Sequence, residues 1–449
     1  MSNVFGRRAV VIGGGIGGLS VAGALAGYFE QVDVLERNRL PATAESRPGT
    51  PQDRHPHVLS GGGLKALGEI FPGYERELAA AGAVSVRMTQ DCLLERPDVG
   101  ALPYRDFGMS ILSASRPLIE LVLRRRVMTI ANIALRPQCR VTEIVAAGET
   151  VRGVRFASLS GQTETLECDL VVDASGRGAL TLALLDALGS ERPHVSEVGV
   201  DLSYATAVVP VPAHARPAWK MVATLPDPPR LALAAGLLPM EGNRWIVVLA
   251  DGRTDARLET RENFLAKLRE LTTPTLYNAL RHTRPSEAIR HYRSLGSRWR
   301  HFERLPGLPR GILPIADAFC RFNPIRGQGM ASAAKQARLL QSVLAEAATK
   351  PDPLARAQAG FMAEVESVLR TPWNMSTSTD LAYPETRGAR PPDFEKSRQF
   401  EAALFRAVAA DPVVHRALLE VAQLLQPLEL LHEPHIMERI EACSAKAMA

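Results

Sequence analysis

Three glycines near the start of the chain have the spacing of a phosphate-binding turn. Gly13, Gly15 and Gly18 form a Gly-x-Gly-x-x-Gly pattern. The apolar run 9–12 before them is typical of a buried parallel strand, and the small residues 19–26 after them indicate a helix. Such glycines permit a tight turn, a close approach of the backbone to a pyrophosphate and close packing of the helix on the strand. The helix start also offers unpaired N–H groups to an anion.

An acidic residue closes the next predicted strand. Glu36 ends the run 32–36 and lies 18 residues after Gly18. A carboxylate at this place accepts hydrogen bonds from a ribose diol and would repel an adenosine 2′-phosphate. The segment therefore predicts a site for FAD or NAD rather than NADP.

A second glycine-rich segment favours FAD over NAD. Asp317 follows a short apolar strand, and seven residues later the run 324–330 opens an Ala-rich helix. The positive end of a helix suits the N1–C2=O edge of a flavin, where negative charge gathers on reduction. Asp317 is placed to hold the ribityl chain.

Five motifs, in the same order, make the chain resemble the FAD-dependent monooxygenases of the aromatic-hydroxylase type (class A). Within that class it resembles bacterial natural-product hydroxylases and polyether-type epoxidases most. The resemblance covers most of the chain and is far more specific for the fold than for the reaction. The motifs are residues 10–19 with Glu36 and Arg37, residues 54–59, residues 115–120, residues 169–176 and residues 316–330.

The resemblance implies a set of cofactor-binding residues. The ADP half of FAD would be bound by Gly13, Gly15, Gly18 and Glu36, with Arg37 beside the adenosine, Arg116 at the phosphate or ribityl region and the backbone of Val141 at the adenine. The riboflavin half would be bound by Asp317, Pro324, Gly327, Gln328, Gly329 and Met330. Arg54, His55 and His57 fall where the family's loop passes the flavin and the nicotinamide. For the two histidines, a capping turn of the loop is an equally open interpretation.

Two positions depart from the family's pattern. Ala316 stands where the family has glycine, and residues 173–177 read Asp-Ala-Ser-Gly-Arg where the family has Asp-Gly. Because this second motif helps to manage the nicotinamide donor, Asp173 is included among the predicted cofactor residues. The departures keep two alternatives open: a non-redox cyclase that folds a polyene around a structural FAD, and a reductase of isoprenoid double bonds. Residues 245–247 do not supply the Trp-x-Trp-x-Ile-Pro segment of a halogenase.

The expected fold class is α/β, with a Rossmann-like FAD-binding domain, an inserted β-sheet substrate domain and a C-terminal helical region. The predicted FAD-binding domain is discontinuous, and the sheet of the substrate domain would form an apolar pocket over the flavin. The predicted boundaries are 1–75, 108–185 and 300–347 for the FAD-binding domain, 76–107 and 186–299 for the substrate domain, and 348–449 for the helical region.

The expected activity is NAD(P)H-dependent hydroxylation or epoxidation of a bulky apolar secondary metabolite by O₂, through a flavin C4a-hydroperoxide. No catalytic dyad is identified, because serine, histidine and aspartate residues are dispersed along the chain. An external flavin reductase is an alternative electron source, and a monomer and a homodimer are both open. Candidate contacts to a substrate carbonyl or phenol are Tyr204, Arg290, His291 and Tyr292.

Composition excludes several other classes. The 449 residues are 46% hydrophobic and 22% charged, which rules out a mainly disordered chain. The net charge of +5 lacks the clustering of a nucleic-acid-binding protein. Five scattered cysteines without a CxxC pair predict neither a disulfide framework nor a metal site. No apolar window is long enough for a membrane span, and no secretory signal is recognised, so a cytoplasmic location is expected.

Overall fold

The computed structural model describes residues 4–159, 161–213, 215, 217–252, 258–294 and 296–448. The strands are β1 (Gly6–Ile12), β2 (Phe29–Glu36), β3 (Val84–Arg87), β4 (Cys92–Arg96), β5 (Gly100–Ala101), β6 (Ser110–Ser113), β7 (Ile133–Pro137), β8 (Arg140–Ala147), β9 (Thr150–Ala157), β10 (Thr163–Glu167), β11 (Leu170–Asp173), β12 (Val195–Val198), β13 (Leu202–Pro210), β14 (Met221–Thr224), β15 (Ala234–Met240), β16 (Arg244–Asp251), β17 (Arg290–Ser294), β18 (Ser297–Arg300), β19 (Ile312–Pro314) and β20 (Cys320–Arg321). The helices are α1 (Ile16–Leu25), α2 (Gly61–Ile70), α3 (Tyr74–Ala80), α4 (Arg116–Met128), α5 (Ala179–Ala187), α6 (Arg261–Leu268), α7 (Thr275–Leu280), α8 (Gly329–Ala347), α9 (Pro353–Leu381), α10 (Phe394–Ala410), α11 (Pro412–Ala422) and α12 (Pro434–Met448).

A parallel sheet in the order β19-β11-β1-β2-β7 forms the centre of the FAD-binding domain. Its middle strand is apolar on both faces, as a doubly covered parallel strand must be. Ala9 and Val11 pack into the core with α1 and α8, whereas Val10 and Ile12 pack against the β8–β9–β10 meander and α5. Because the strands are parallel, β1, β11 and β19 end at the same edge, which brings three predicted motifs together.

A second, seven-stranded sheet has the order β17-β13-β16-β15-β14-β4-β5. Side chains alternate between its two faces along each strand. On one face, Ala207, Val209 and Val247 pack against α6 and α7. On the other face, Val208 and Ile246 turn toward the loops of the FAD-binding domain. This sheet corresponds to the predicted inserted substrate sheet.

Helices cover the remaining side of the molecule. The long helix α9 carries Pro372 in its interior, and α10, α11 and α12 pack around Leu102, which follows β5. The α/β architecture with a Rossmann-like sheet, an inserted sheet and C-terminal helices confirms the predicted fold class. Within the described ranges, none of the helices combines the length and the apolar character that a membrane span requires.

Candidate cofactor site

At two of the three motif positions, the backbone packing of the protein permits only glycine. Gly13 has φ +107°, and a Cβ on it would lie 2.7 Å from the carbonyl oxygen of Ala174. A Cβ on Gly18 would overlap the carbonyl oxygen of Gly13, so only glycine lets α1 pack this closely on the turn. Both constraints arise from backbone contacts inside the domain.

Gly15 is different, because none of the described side chains or distant backbone atoms crowds it. It has φ −83°, which any residue adopts, and the atoms nearest to an added Cβ are guanidinium nitrogens of Arg116 at 3.8 Å and Arg47 at 3.9 Å. Gly15 is also the N-cap of α1, where no side chain caps the free N–H groups. The space at Gly15, lined by two cations and a helix start, fits a pyrophosphate.

A buried carboxylate holds these cations in place. Glu120 Oε1 lies 2.8 Å from Arg47 Nε, and Glu120 Oε2 lies 3.0 Å from Arg116 Nη2. Arg124 approaches Glu120 at 3.6 Å. Burial raises the pKa of Glu120, but the three guanidinium groups outweigh it and hold that pKa below its usual range. Arg116 Nε is buried and has no hydrogen-bond partner among the described residues.

Glu36 is joined to this cluster, because its Oε1 lies 3.3 Å from Arg47 Nη1. Its Oε2 accepts a hydrogen bond from Gly14 N at 2.8 Å, and its Oε1 accepts two from Asn38 at 2.9 Å. The carbonyl oxygen of Glu36 accepts from Cys139 N, which brings the segment leading to Val141 beside it. The structure therefore brings the segment leading to Val141 beside Glu36, two positions that the resemblance assigns to the adenosine, and Arg37 is exposed next to Glu36.

Asp317 follows β19 at the same edge of the sheet. Its carboxylate is half-buried and accepts no hydrogen bond from any described residue. Burial raises the pKa of Asp317, against the opposing influence of Arg321 and Arg116. The preceding Ala316 has φ +55°, and its Cβ is directed at Gly17 of α1, where an added Cβ would come within 2.9 Å. The methyl group at the position of the family's glycine is thus packed against α1.

The loop of residues 323–328, which opens α8, is predicted to border the riboflavin half and is named the flavin-side loop. A 3₁₀ turn at Pro324–Arg326 leads into Gly327, which has φ +64°. Gln328 is the N-cap of α8, and its Oε1 is buried without a hydrogen-bond partner in the described ranges. A buried acceptor and a free helix start are the groups that a polar heterocycle would satisfy. Met330 is buried, whereas Pro324 is exposed.

A buried network fixes this loop. Asn323 Nδ2 donates to both carboxylate oxygens of Asp380, at 3.0 and 2.8 Å, and Asn323 Oδ1 accepts from the Tyr204 hydroxyl at 3.0 Å. The three side chains are at most 6% exposed. The network joins α9, the flavin-side loop and strand β13. Burial raises the pKa of Asp380 to about 6, although Asn323 and Arg326 favour the ionised form.

Asp380 should make the stability of the protein depend on pH. Its pKa is higher in the folded state than the ordinary value of 3.8, so folding favours the protonated form. This contribution is complete below about pH 4 and is lost as the pH rises through about 6. We expect Asp380→Asn to gain on the order of 2 kcal/mol relative to the wild type between pH 4 and 7. Denaturant unfolding at each pH measures this difference, and parallel profiles for the two proteins would refute it.

His55 belongs to the loop of residues 54–59, which is named the cofactor loop, and its side chain contacts the inserted sheet. Its Nδ1 is 2.7 Å from Thr206 Oγ1, and its ring centroid is 5.5 Å from that of Tyr292 and 6.2 Å from that of Tyr204. Burial, together with His291, lowers the pKa of His55 to about 4, so the imidazole is neutral at pH 7. His57 Nδ1 donates to the carbonyl oxygen of His55 at 2.8 Å, and burial lowers the pKa of His57 to about 3.

Two other predicted residues differ in their surroundings. Arg54 is exposed on the 3₁₀ turn Pro51–Arg54. Asp173 is fully buried, and its carboxylate accepts hydrogen bonds from Ser175 N and from the Thr181 backbone and hydroxyl. These hydrogen bonds show that the Asp173 side chain stabilises the loop that follows β11.

Sequence reasoning missed several residues that the structure brings to the site. Arg47 and Glu120 are 73 positions apart and meet only through the fold. The one local indication of this cluster in the sequence is the position of Glu120, four residues from both Arg116 and Arg124 on a predicted helix. Asp380 gave no signal that linked it to the flavin-side loop.

A parallel sheet with this glycine turn, an acidic residue closing its second strand and a second glycine-rich helix start defines an FAD-dependent oxidoreductase. The chain belongs to the family described as FAD binding domain, which it matches over residues 7–358. It is 32% identical over 353 residues to Protein Rv3254 of Mycobacterium tuberculosis (strain ATCC 25618 / H37Rv), covering 75% of this chain and 73% of that protein. The family confirms the class predicted from the sequence.

Solved structures share this fold at low sequence identity. A flavoprotein/dehydrogenase from Cytophaga hutchinsonii has a TM-score of 0.70 at 14% identity and covers 98% of this chain and 99% of its own. The p-nitrophenol 4-monooxygenase PnpA from Pseudomonas putida DLL-E4 has a TM-score of 0.63 at 17% identity, and the match covers 94% of this chain and 99% of PnpA. The flavin-dependent brominase Bmp2 has a TM-score of 0.66 at 12% identity, and the match covers 98% of this chain and 100% of Bmp2.

Proposed function

We propose that this protein uses FAD, reduced by NAD(P)H, to place one oxygen atom from O₂ into a bulky, largely apolar organic substrate by hydroxylation or epoxidation. When bound, FAD takes a hydride from the nicotinamide and activates dioxygen; one oxygen atom enters the substrate and the other leaves as water. The chain's own residues bind the cofactor, shape the substrate pocket and exclude water.

The observation that supports this proposal most is the apolar face where the two domains meet. Val58 of the cofactor loop packs on a sheet cluster that contains Val208 and Ile246. Ile325 of the flavin-side turn packs on a neighbouring cluster that contains Tyr204. Both loops predicted to border the flavin therefore meet the apolar face of the inserted sheet, as a monooxygenase for an apolar substrate requires.

The polar groups at this face favour a reaction that needs alignment more than proton removal. His55 is neutral at pH 7 and, with a pKa of about 4, is a weak base. The Tyr204 hydroxyl donates to Asn323. Epoxidation of an alkene requires no base, whereas hydroxylation of a phenol is helped by one. Because an imidazole of such low basicity removes a phenol proton poorly, epoxidation is the reaction to test first.

The test uses isotopic oxygen. FAD-loaded protein is incubated under ¹⁸O₂ with NADPH or NADH and with extracts that contain candidate polyketides or aromatic compounds. We expect one compound to gain a single ¹⁸O atom in a reaction that depends on the nicotinamide donor, and a parallel incubation without donor serves as control. A product that forms without O₂ would overturn the proposal.

The Asp173 loop supports a second candidate function. Its carboxylate is occupied by Ser175 and Thr181, in a motif that differs from the family's Asp-Gly. A protein that no longer accepts electrons from a nicotinamide would use FAD as a structural element and fold a polyene for cyclisation. An isomerised product of unchanged mass would support this cyclase, and a mass gain of two hydrogens would indicate a double-bond reductase.

A further inference from the structure

Hydrogen bonds join a serine, a histidine and a glutamate outside the predicted FAD site. Ser196 lies on strand β12, and His301 and Glu303 follow strand β18. Ser196 Oγ is 2.8 Å from His301 Nε2, and His301 Nδ1 is 2.7 Å from Glu303 Oε1. The serine and the histidine are 105 positions apart, so their spacing along the chain gives no indication of the contact. These three residues are named the serine triad.

The glutamate determines which imidazole nitrogen carries the proton. An ionised carboxylate only accepts hydrogen bonds, so in the neutral ring of His301 it is Nδ1–H that donates to Glu303 Oε1. Nε2 is then an acceptor, and the hydroxyl of Ser196 donates to it. In this arrangement a histidine can take the proton of a serine hydroxyl, and the carboxylate stabilises the imidazolium that forms.

Burial and stacking hold the base in this orientation. The side chains of His301 and Glu303 are 4% and 3% exposed. The imidazole stacks on Trp299 with ring centroids 4.8 Å apart and on His194 with centroids 5.5 Å apart. Arg304 approaches Glu303 Oε1 at 3.7 Å from the exposed side, which favours the ionised carboxylate. The orientation of the base is therefore fixed before any substrate binds.

The serine of the triad lines a cleft. Ser196 pairs with Trp299 across β12 and β18, so its side chain lies on the face of this sheet that packs against helix α9. Between β12 and α9 is a cleft of about 730 Å³, within the range of small-molecule sites, roughly 300–1,000 Å³. Trp373, Asn374 and Leu381 of α9 line it opposite the strand. The cleft thus presents one hydroxyl nucleophile, one amide and apolar side chains.

We propose that the serine triad is a second active site, which hydrolyses carboxylic esters that carry an apolar group. Ser196 Oγ forms a bond to the carbonyl carbon while its proton passes to His301 Nε2. That proton then passes to the alcohol oxygen as the ester C–O bond breaks. Water attacks the acyl-serine and gives a proton to His301, which returns it to Ser196 Oγ as the carboxylic acid leaves.

The other groups have distinct roles in this reaction. Glu303 is a positioning residue, because it acts on the substrate only through His301. The side-chain amide of Asn374 donates to the carbonyl oxygen, where negative charge develops. Trp373 and Leu381 contact the apolar group of the ester. The reaction needs neither a flavin nor a nicotinamide, so it is independent of the proposed oxygenase activity.

Hydrolysis of p-nitrophenyl butyrate by the FAD-saturated protein, without a nicotinamide donor, tests this proposal. We expect Ser196→Ala to lower kcat/KM at least about 1,000-fold. Glu303→Gln should lower kcat by about 100-fold and leave KM unchanged, because it disturbs the tautomer of the base and not the binding of the ester. The matched control is Ser367→Ala, which removes an exposed serine hydroxyl outside the cleft and should change neither constant.

Labelling of the wild-type protein gives a second measurement that does not depend on the folding of a variant. A fluorophosphonate should modify Ser196, as mass spectrometry of the peptides would show, with loss of fluoride and transfer of the serine proton to His301. Unmodified Ser196, or equal kcat/KM in Ser196→Ala and the wild type, would overturn the site. Equal kcat in Glu303→Gln and the wild type would overturn the role of the glutamate. Because the assay contains no nicotinamide, these outcomes leave the oxygenase proposal untouched.

Discussion

Replacing Gly15 by alanine should abolish tight FAD binding while leaving the fold intact. The added methyl group would occupy the space between the guanidinium groups of Arg47 and Arg116, whose nitrogens, at 3.8 and 3.9 Å, are the nearest described atoms beyond the adjoining chain. Any loss of affinity is then caused by the ligand that needs this space. We expect the Kd for FAD to rise about 100-fold, which corresponds to ~2.7 kcal/mol. Flavin fluorescence titration of the apo-protein measures it.

Two other glycines serve as comparisons. Gly27→Ala adds a methyl group that meets no atom within 4 Å, so it should change neither FAD affinity nor stability by much. Gly18→Ala forces overlap with the carbonyl of Gly13 and should impair folding itself. Unchanged FAD affinity in a folded Gly15→Ala protein would show that the pyrophosphate does not pass this turn.

Removing the charge of Glu120 should destabilise the apo-protein strongly. Glu120→Gln would leave the guanidinium groups of Arg47, Arg116 and Arg124 without the carboxylate that they share. Breaking a buried ion pair on one side costs about 3–5 kcal/mol, and we expect a loss near the lower end because glutamine keeps one acceptor. Urea unfolding of the apo-protein measures the loss in free energy of unfolding.

The control for Glu120 is a surface pair of the same chemistry. Glu69 contacts Arg338 at 2.6 Å, with both side chains more than a third exposed, so Glu69→Gln should cost at most about 1 kcal/mol. Saturating FAD should restore part of the stability of Glu120→Gln, because its pyrophosphate supplies negative charge to the same arginines. Equal losses in the two variants, or no recovery with FAD, would contradict the assigned role of Glu120.

The sequence was most informative where the site is built from contiguous residues. Gly13, Gly18 and Glu36 were predictable because a strand, a tight turn and a helix within one short segment impose their residue types locally. The family resemblance made Asp317 and the loop opening α8 predictable as well, and the structure places them at the same sheet edge.

Residues that act through long-range contacts were not predictable in this way. Arg47 lies in a loop rich in proline and polar residues, where no periodicity indicates which side chain is buried. Asn323 and Asp380 are 57 positions apart, and only the packing of α9 against the flavin-side loop brings them together. The hydrogen bonds of the Asp173 side chain were likewise not predictable from the sequence, because its partner Thr181 belongs to the following helix.

The most direct test of the central proposal is anaerobic reduction of the bound flavin. Purified protein saturated with FAD is mixed with NADH or NADPH in the absence of O₂, with and without the candidate extracts, and the absorbance of oxidised flavin is followed. We expect bleaching by at least one of the two donors, accelerated by the extract that contains the substrate. Bound flavin that dithionite reduces but that neither nicotinamide reduces, with any extract, would contradict a donor-coupled monooxygenase.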